Sequence, residues 1–357
     1  MKILVVGNEP GGMYRFRIDL IRELLKKNEV TVLVPDGEFV EEMRCEGCGF
    51  YDTPIDRRSI NPLKDFKLMM LYRKILKTEK PELVITYTIK PNIYCGMLCK
   101  HLKIPYVANI TGLGTTFQKD NAVKKLVTLL YKTSLKKSRI IFFENVENRD
   151  IFVDEHIVPK TKTYVLNGAG VNMQHYSYSP YPEGRCTRFL FIGRIMAEKG
   201  FDELIYAMRK LVADGYDVLL SVVGFCEEAY EEKLKKCQSE GWMEFHGQQK
   251  DVRPYIQEAH CFVLPSWHEG MANTNLECAS MGRPVITTNI HGCLEAIEDN
   301  VTGFLCEKQD KDDLYSTMKR FLFLSYEERK AMGFAGRKRM EEYFDKKKVV
   351  EETISRL

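Results

Sequence analysis

The sequence has no apolar run approaching the length of a bilayer-spanning helix, because Lys or Glu cuts every long candidate. Its opening residues, Met1-Lys2-Ile3-Leu4-Val5-Val6-Gly7-Asn8, break too soon for a secretory leader and read as a buried strand ending in a turn. A soluble, cytoplasmic protein is therefore expected. No G-x-G-x-x-G follows that strand; the residues there are Gly7-Asn8-Glu9-Pro10-Gly11-Gly12, which argues against a dinucleotide fingerprint and against hydride transfer. The pair Gly11-Gly12 still permits close backbone approach to an anion. The eleven cysteines lack metal spacing: Cys45-Glu46-Gly47-Cys48 has no second C-x-x-C and no histidine pair nearby, so reduced thiols and no metal site are expected. A nucleic-acid fold signature is also missing, and nucleic acid is not expected as a partner.

What is present is a chain of 357 residues, longer than one hydrophobic core usually organises, so two domains are expected. The net charge of +3 is unevenly spread: residues 1–172 carry 28 Lys and Arg against 20 Asp and Glu, and residues 173–357 carry 25 against 30. The basic excess concentrates in Arg57–Lys80 and Lys119–Arg139, where Lys and Arg alternate with Leu, Met, Tyr and Val. That pattern suits an ordinary solvated helix face, or a basic amphipathic face resting on an anionic membrane or reaching for a lipid diphosphate.

Apolar runs of strand length alternate with helical periodicity along both halves. Strands are expected at 2–7, 29–34, 49–52, 82–86, 105–108 and 139–143, with helices at 15–27, 37–47, 62–78, 92–102, 121–136 and 146–154. A polar stretch, Tyr176–Arg185, reads as an interdomain linker. Beyond it strands are expected at 188–192, 217–223, 243–246, 260–264 and 284–287. Helices are expected at 200–213, 228–239, 251–258, 273–281, 293–297 and 311–322, with a wholly helical tail over 337–357. The alternation predicts an α/β protein of two doubly wound parallel sheets: 1–175, 176–340, and a C-terminal helix, 341–357, returning to the first domain.

The most informative segment is Ser266-Trp267-His268-Glu269-Gly270-Met271-Ala272-Asn273-Thr274-Asn275-Leu276-Glu277. It follows the apolar strand Cys261-Phe262-Val263-Leu264 and leads through a Gly loop into a helix for which Asn273 and Thr274 are candidate N-caps, with Gly282 and Pro284 stopping it. Such a strand, loop and helix N-terminus aim backbone N–H groups at one spot, a usual place for a phosphate or sugar oxygen. Glu269 falls in the loop, and Glu277, in an apolar helix, needs a partner.

With its Pro265-Ser266 prefix and Gly282-x-Pro284-Val285 suffix, the Glu269-x7-Glu277 motif resembles that of retaining glycosyltransferases of family 4, as do Gly193-Arg194-Ile195-Met196-Ala197-Glu198-Lys199-Gly200, Val223-Gly224 and Gly292-x-x-Glu295 followed by Gly303-Phe304-Leu305. The resemblance covers essentially the whole chain. It implies two Rossmann-like domains facing across a cleft, the GT-B arrangement. It further implies that Arg194 and Lys199, with Gly193 and Gly224 beside them, hold the donor diphosphate. Glu277 then binds ribose hydroxyls, Glu269 lies near the donor sugar ring, and Gly270, Met271 and Ala272 offer backbone N–H groups. Lys250 and Val252 hold the base through backbone atoms. Diphosphate leaving groups need cationic neutralisation, which a strand-end Arg and a nearby Lys supply.

In the first half, Asp56-Arg57-Arg58-Ser59-Ile60-Asn61-Pro62, Thr88-Ile89-Lys90-Pro91-Asn92, Thr111-Gly112-Leu113-Gly114 and Phe143-Glu144-Asn145 resemble transferases of bacterial capsule, O-antigen and protein-glycan assembly. These imply a UDP-linked hexose or N-acetylhexosamine as donor and an undecaprenyl-diphosphate saccharide as acceptor, at the inner face of the cytoplasmic membrane. Gly11, Gly12, Arg15, Arg17, Arg57, Lys90 and Thr111 are the candidate acceptor contacts. Thr111 stands where many relatives carry a His that touches the donor sugar, and His268 and His246 are the histidines nearest the motif region. No cofactor or metal is implied: the one D-x-D-like cluster, Asp310-Lys311-Asp312-Asp313, sits at an expected helix start, where acids favour the N-terminus. Two other readings stay open: a UDP-sugar epimerase of the same fold, and a donor-binding but inactive partner subunit.

Overall fold

The structure is a computed structural model that describes residues 1–56, 61–114, 117 and 122–357. Arg57 lies outside the described residues. Close packing divides the chain into two units, Met1–Ala169 with Lys347–Leu357, and Gly170–Lys346.

In chain order the first unit contains β1 (Lys2–Val6), α1 (Pro10–Leu25), β2 (Glu29–Val34), α2 (Val40–Cys45), β3 (Gly49–Asp52), α3 (Pro62–Glu79), β4 (Leu83–Tyr87), α4 (Ile89–Leu102), β5 (Tyr106–Ile110), α5 (Ala122–Leu135), β6 (Ile141–Phe143), α6 (Val146–Asp154) and β7 (Thr163–Val165). Its strands pair in the order β3-β2-β1-β4-β5-β6-β7, all parallel. The second unit contains β8 (Thr187–Ile192), α7 (Phe201–Ala213), β9 (Val218–Val223), α8 (Glu231–Ser239), β10 (Met243–Phe245), α9 (Arg253–Glu258), β11 (Cys261–Leu264), α10 (Asn273–Ser280), β12 (Val285–Thr288), β13 (Gly303–Cys306), α11 (Lys311–Leu322) and α12 (Tyr326–Tyr343), and α13 (Lys346–Ile354) ends the chain. Its parallel order is β10-β9-β8-β11-β12-β13. In each sheet the winding reverses beside the first strand, between β1 and β4 and between β8 and β11. Ligands of open α/β sheets bind at the C-terminal ends of the strands at such a reversal.

The central strands are apolar on both faces because helices cover both: Ile3, Leu4, Val5 and Val6 of β1 are wholly buried. Ile3 and Val5 pack with α1, α2 and α13, and Leu4 and Val6 with α3 and α4. Val349 and Val350 of α13 join the core of the first unit, so this helix does return there. The tail is not one helix: α12 stops at Tyr343, and Lys346 begins α13 after the backbone of Val171 has paired with Phe344 and Lys346. Ser325 and Glu328 form a capping box that starts α12.

Several elements depart from expectation: the helix expected at 293–297 is only a 3-10 turn, Leu294–Ala296, and α12 starts well before the expected tail. Helix α1 begins at Pro10 because the Glu9 side chain caps it and proline suits the first turn. The short strands β7 and β13 carry only 3 and 4 residues, too few for a period to register. Tyr176–Arg185 is no linker, since it packs within the second unit. The wholly buried Arg283 donates to the carbonyls of Ser179 and Pro180 at 3.2 and 2.9 Å, and Tyr181 Oη donates to His260 O at 2.9 Å. A buried guanidinium requires that many acceptors, and the stretch supplies them.

Candidate functional site

Strands β8, β9 and β10 of the second unit end in glycines that touch one another. Gly193 N–H donates to Val223 O at 3.0 Å, and Gly224 N–H to Gly247 O at 2.9 Å. Gly224 has φ +149°, and a Cβ there would lie 1.8 Å from Gly193 O, so no other residue fits. The chain then turns through Ala197–Lys199, a single 3-10 turn. Gly200 closes the turn at φ +67°, where a Cβ would sit 2.0 Å from Pro265 O. Trp267 N–H donates to Glu198 O at 2.9 Å, and Trp267 Nε1 to Glu203 of α7 at 3.1 Å. The turn after β8 is thereby pressed onto the loop after β11.

That contact brings two candidate residues together. The Lys199 ammonium donates to Glu269 Oε1, which also accepts from Ser266 Oγ at 2.8 Å, and the two side chains are only 16% and 13% exposed. Arg194 stands 3.4 Å from Glu227 with its side chain 40% exposed, so it is the more accessible cation of the pair. The loop itself is pinned from beneath. Thr288 Oγ1 donates to Ser266 O and Thr287 Oγ1 to Leu264 O, at 2.5 and 2.8 Å. Ala272 N–H donates to Gly292 O at 2.7 Å, so this amide, expected to serve the ligand, is spent on the fold. Gly292 N–H and the His291 ring both meet the Glu295 carboxylate, at 2.7 and 2.8 Å.

Helix α10 starts at Asn273 with Ala272 at the cap position and no side-chain cap, so Asn273 and Thr274 are first-turn residues, not caps. Asn275 is wholly buried and donates Nδ2 to Thr287 Oγ1 at 3.2 Å, while the amide oxygens of Asn273 and Asn275 are buried without a hydrogen-bond partner. Such oxygens favour a ligand with hydroxyl donors. Glu277 is half-buried on the same helix, Met271 is buried, and Gly270 lies in the loop between Glu269 and Met271. Val252 precedes α9 and accepts from Ile256 N–H, with Lys250 exposed two residues earlier. The Asp310 cluster caps α11: Asp310 accepts from the Asp312 and Asp313 amides at 3.0 and 2.9 Å.

In the first unit the candidate acceptor residues gather at the C-terminal ends of β1, β4 and β5, but several are engaged. The Gly11 and Gly12 amides donate to the two Glu9 carboxylate oxygens at 2.8 and 2.5 Å, so an internal carboxylate holds the place suggested for an anion. Arg17 pairs with Glu144 at 2.5 Å over the Tyr87 ring, with side chains 13% and 8% exposed. Burial pushes the Glu144 carboxyl up against the pull of the Arg17 charge. Lys90 pairs with Asp65 at 2.7 Å, and Arg15 is exposed with its guanidinium 5.1 Å from the Phe39 ring centre. Thr111 is half-buried just past β5. Thr88, which precedes α4, has φ +69° and ψ 166°, a strained conformation for a β-branched residue and one that concentrates at functional sites.

Thr287 and Thr288, which anchor the loop after β11, were not singled out from sequence and carried no local signal, whereas Ser266, Trp267 and Glu295 stood within the motifs.

Residues 2–145 match the family described as glycosyl transferase 4-like, and residues 186–323 match glycosyl transferases group 1. The chain is 31% identical to the capsular polysaccharide biosynthesis glycosyltransferase CapM of Staphylococcus aureus, over 99% of this chain and 95% of that one. It is 26% identical to the N,N'-diacetylbacillosaminyl-diphospho-undecaprenol alpha-1,3-N-acetylgalactosaminyltransferase of Campylobacter jejuni, over 88% and 87% of the two chains. The crystal structure of Anabaena Alr3699/HepE with UDP and glucose superposes with a TM-score of 0.83 at 16% identity, covering 100% of both chains. The chain therefore belongs to the family 4 glycosyltransferases, has their GT-B pair of Rossmann-like domains, and is a hexosyltransferase.

Proposed function

We propose that this enzyme moves a hexose or N-acetylhexosamine, with retention, from a UDP-sugar to an undecaprenyl-diphosphate-linked saccharide in the synthesis of a bacterial surface polysaccharide. The observation that carries the reading is the constellation of Lys199, Glu269 and Ser266 beside Gly193, Arg194 and Gly224 at the sheet reversal between β8 and β11. The capsule role of the Staphylococcus relative and the diphospho-undecaprenol in the name of the Campylobacter relative support the acceptor class.

In the step proposed, an acceptor hydroxyl attacks the anomeric carbon from the face the diphosphate leaves. The bond from that carbon to the diphosphate oxygen breaks, and the diphosphate takes the acceptor proton. Arg194, Lys199 and α10 amides stabilise the departing charge, so no metal is assigned. Glu269 is held by Lys199 and Ser266, which makes it a poor nucleophile for a covalent intermediate and a good positioner of sugar hydroxyls.

The test incubates the protein with a panel of UDP-sugars and a lipid-diphosphate disaccharide, with and without EDTA, and follows UDP release and product mass. The reading expects acceptor-dependent UDP release, a product heavier by one sugar, and no loss with EDTA. An epimerised UDP-sugar or free sugar without acceptor product indicates the epimerase. Binding without turnover, unchanged by Glu269→Gln, indicates an inactive partner.

A further inference from the structure

The turn after β12 holds a histidine that the proposed transfer does not yet use. His291 Nδ1 lies 2.8 Å from Glu295 Oε1, and Glu295 Oε2 accepts from Gly292 N–H at 2.7 Å. The turn is firmly held. Arg339 of α12 donates from Nη2 to Glu295 O at 2.8 Å, and the Cys293 and Leu294 amides donate to Ile290 O at 3.1 and 3.0 Å. A carboxylate offers only lone pairs, so in the neutral ring the proton sits on Nδ1 and Nε2 is left as an acceptor. That second nitrogen has no hydrogen-bond partner among the described residues, and the side chain is 37% exposed. His246, His260 and His268 are the opposite case, each with Nε2 buried.

The neighbour of this turn is the Glu269 loop. Strands β11 and β12 pair in parallel, so the chain leaves both at the same end of the sheet. A Cβ on Gly292 would lie 2.6 Å from Glu269 O, and Gly292 O accepts from Ala272 N–H at 2.7 Å, so His291 stands one residue from the backbone contact with Glu269. Cys293, two residues further on, is wholly buried. Burial first and then the Glu269 charge push its thiol up, while the Lys199 charge opposes them, so the Lys199–Glu269 pair lies within electrostatic reach of the turn.

We propose that His291, fixed in orientation and tautomer by Glu295, is a specificity-determining residue for the donor sugar, its Nε2 accepting a hydrogen bond from one hydroxyl of the hexose that Glu269 positions. The inference rests on the UDP-sugar reading given above and deepens it. An acceptor nitrogen does not suit a diphosphate oxygen, which also only accepts, and this assigns His291 to the sugar end of the donor. It selects a hydroxyl, which donates, over a fluorine, which cannot. A ring already anchored through Nδ1 has little freedom left to lose when a ligand binds. Glu295 acts through His291 and is a positioning residue.

The experiment measures, by calorimetry on the full chain, the affinities of UDP, UDP-glucose, UDP-galactose and UDP-N-acetylglucosamine, and of analogues of each sugar with fluorine in place of one hydroxyl. Wild type, His291→Ala and Glu295→Gln are compared, with melting temperatures to show that each is folded. Wild type should lose about tenfold in affinity when one particular hydroxyl is replaced. His291→Ala should weaken the parent sugar by a similar factor and abolish that discrimination. Glu295→Gln should shift the preference toward fluorine: its amide oxygen keeps the Gly292 contact, while its amide nitrogen donates to Nδ1 and moves the ring proton to Nε2. UDP alone should bind all three proteins alike, and heteronuclear NMR of the ligand-free wild type should place the His291 proton on Nδ1. Selectivity indifferent to both variants, UDP affinity falling in step with sugar affinity, or a wild-type ring proton on Nε2 would each overturn this inference while leaving the transfer reading intact. A wild type that binds UDP but none of the UDP-sugars overturns both.

Discussion

Lys199 and Glu269, seventy residues apart in sequence, form one half-buried ion pair at the heart of the second unit. Neither is free to act without the other. If Lys199 serves the donor diphosphate and Glu269 the sugar, as proposed, each must exchange its partner for the ligand, and the pair would then couple the two ends of the donor.

Replacing Lys199 by Ala should lower kcat/KM by at least about a hundredfold, in line with losing one charge contact in the transition state. Lys199→Arg should recover part of that loss. A steady-state comparison suffices, and an Ala variant within threefold of wild type would remove Lys199 from the role assigned to it.

Gly224→Ala should compromise folding of the second unit rather than catalysis alone. The new methyl would meet Gly193 O at 1.8 Å, and the backbone at φ +149° disfavours any side chain. Melting curves and soluble yield check this; an unchanged melting temperature would show that β8 and β9 part more easily than their packing implies.

Glu144→Gln should destabilise the first unit by about 3 kcal/mol, because it leaves the Arg17 guanidinium buried without its counter-charge. Arg17→Met with Glu144→Leu should recover much of the loss. Urea unfolding of the single and double variants separates this structural role from acceptor binding: acceptor KM should follow the pair's integrity, not the Arg17 charge by itself.

His260 predicts part of the acid sensitivity. Burial first, then the charges of Arg329, Arg283 and Arg188, lower its pKa from 6.5 to about 4. Its Nδ1 accepts from Arg188 N–H at 3.1 Å, which puts the proton on the buried Nε2. Between pH 6.5 and about 4 the unfolded chain gains a proton that the folded chain refuses, so stability falls as pH drops through that window and this contribution levels off below it. His260→Gln should flatten the slope in melting temperatures measured across the window.

The sequence by itself determined the class of architecture, because strand-length apolar runs alternating with helical periodicity admit only a helix-covered parallel sheet. It also singled out the candidates for the proposed donor site, Arg194, Lys199 and Glu269, which the fold places in the turns after β8 and β11, and Glu277, which it places on α10. Short elements stayed hidden: β7 and β13 are too brief to show a period, and α12 begins at a capping box within a charged stretch. What only the tertiary structure decided is which groups are already engaged. Glu9 holds the Gly11 and Gly12 amides, Glu144 holds Arg17, and Arg283 draws the expected linker into the second unit. Such pairings join residues distant in the chain through burial, and a buried charge must find a partner wherever folding brings one. The exposed stripe on α3 is the converse case. Its apolar residues alternate with Lys and Arg in sequence, and only the packing of α3 shows that Leu68, Tyr72, Ile75 and Leu76 enter the core while Leu63, Phe66 and Met70 stay exposed.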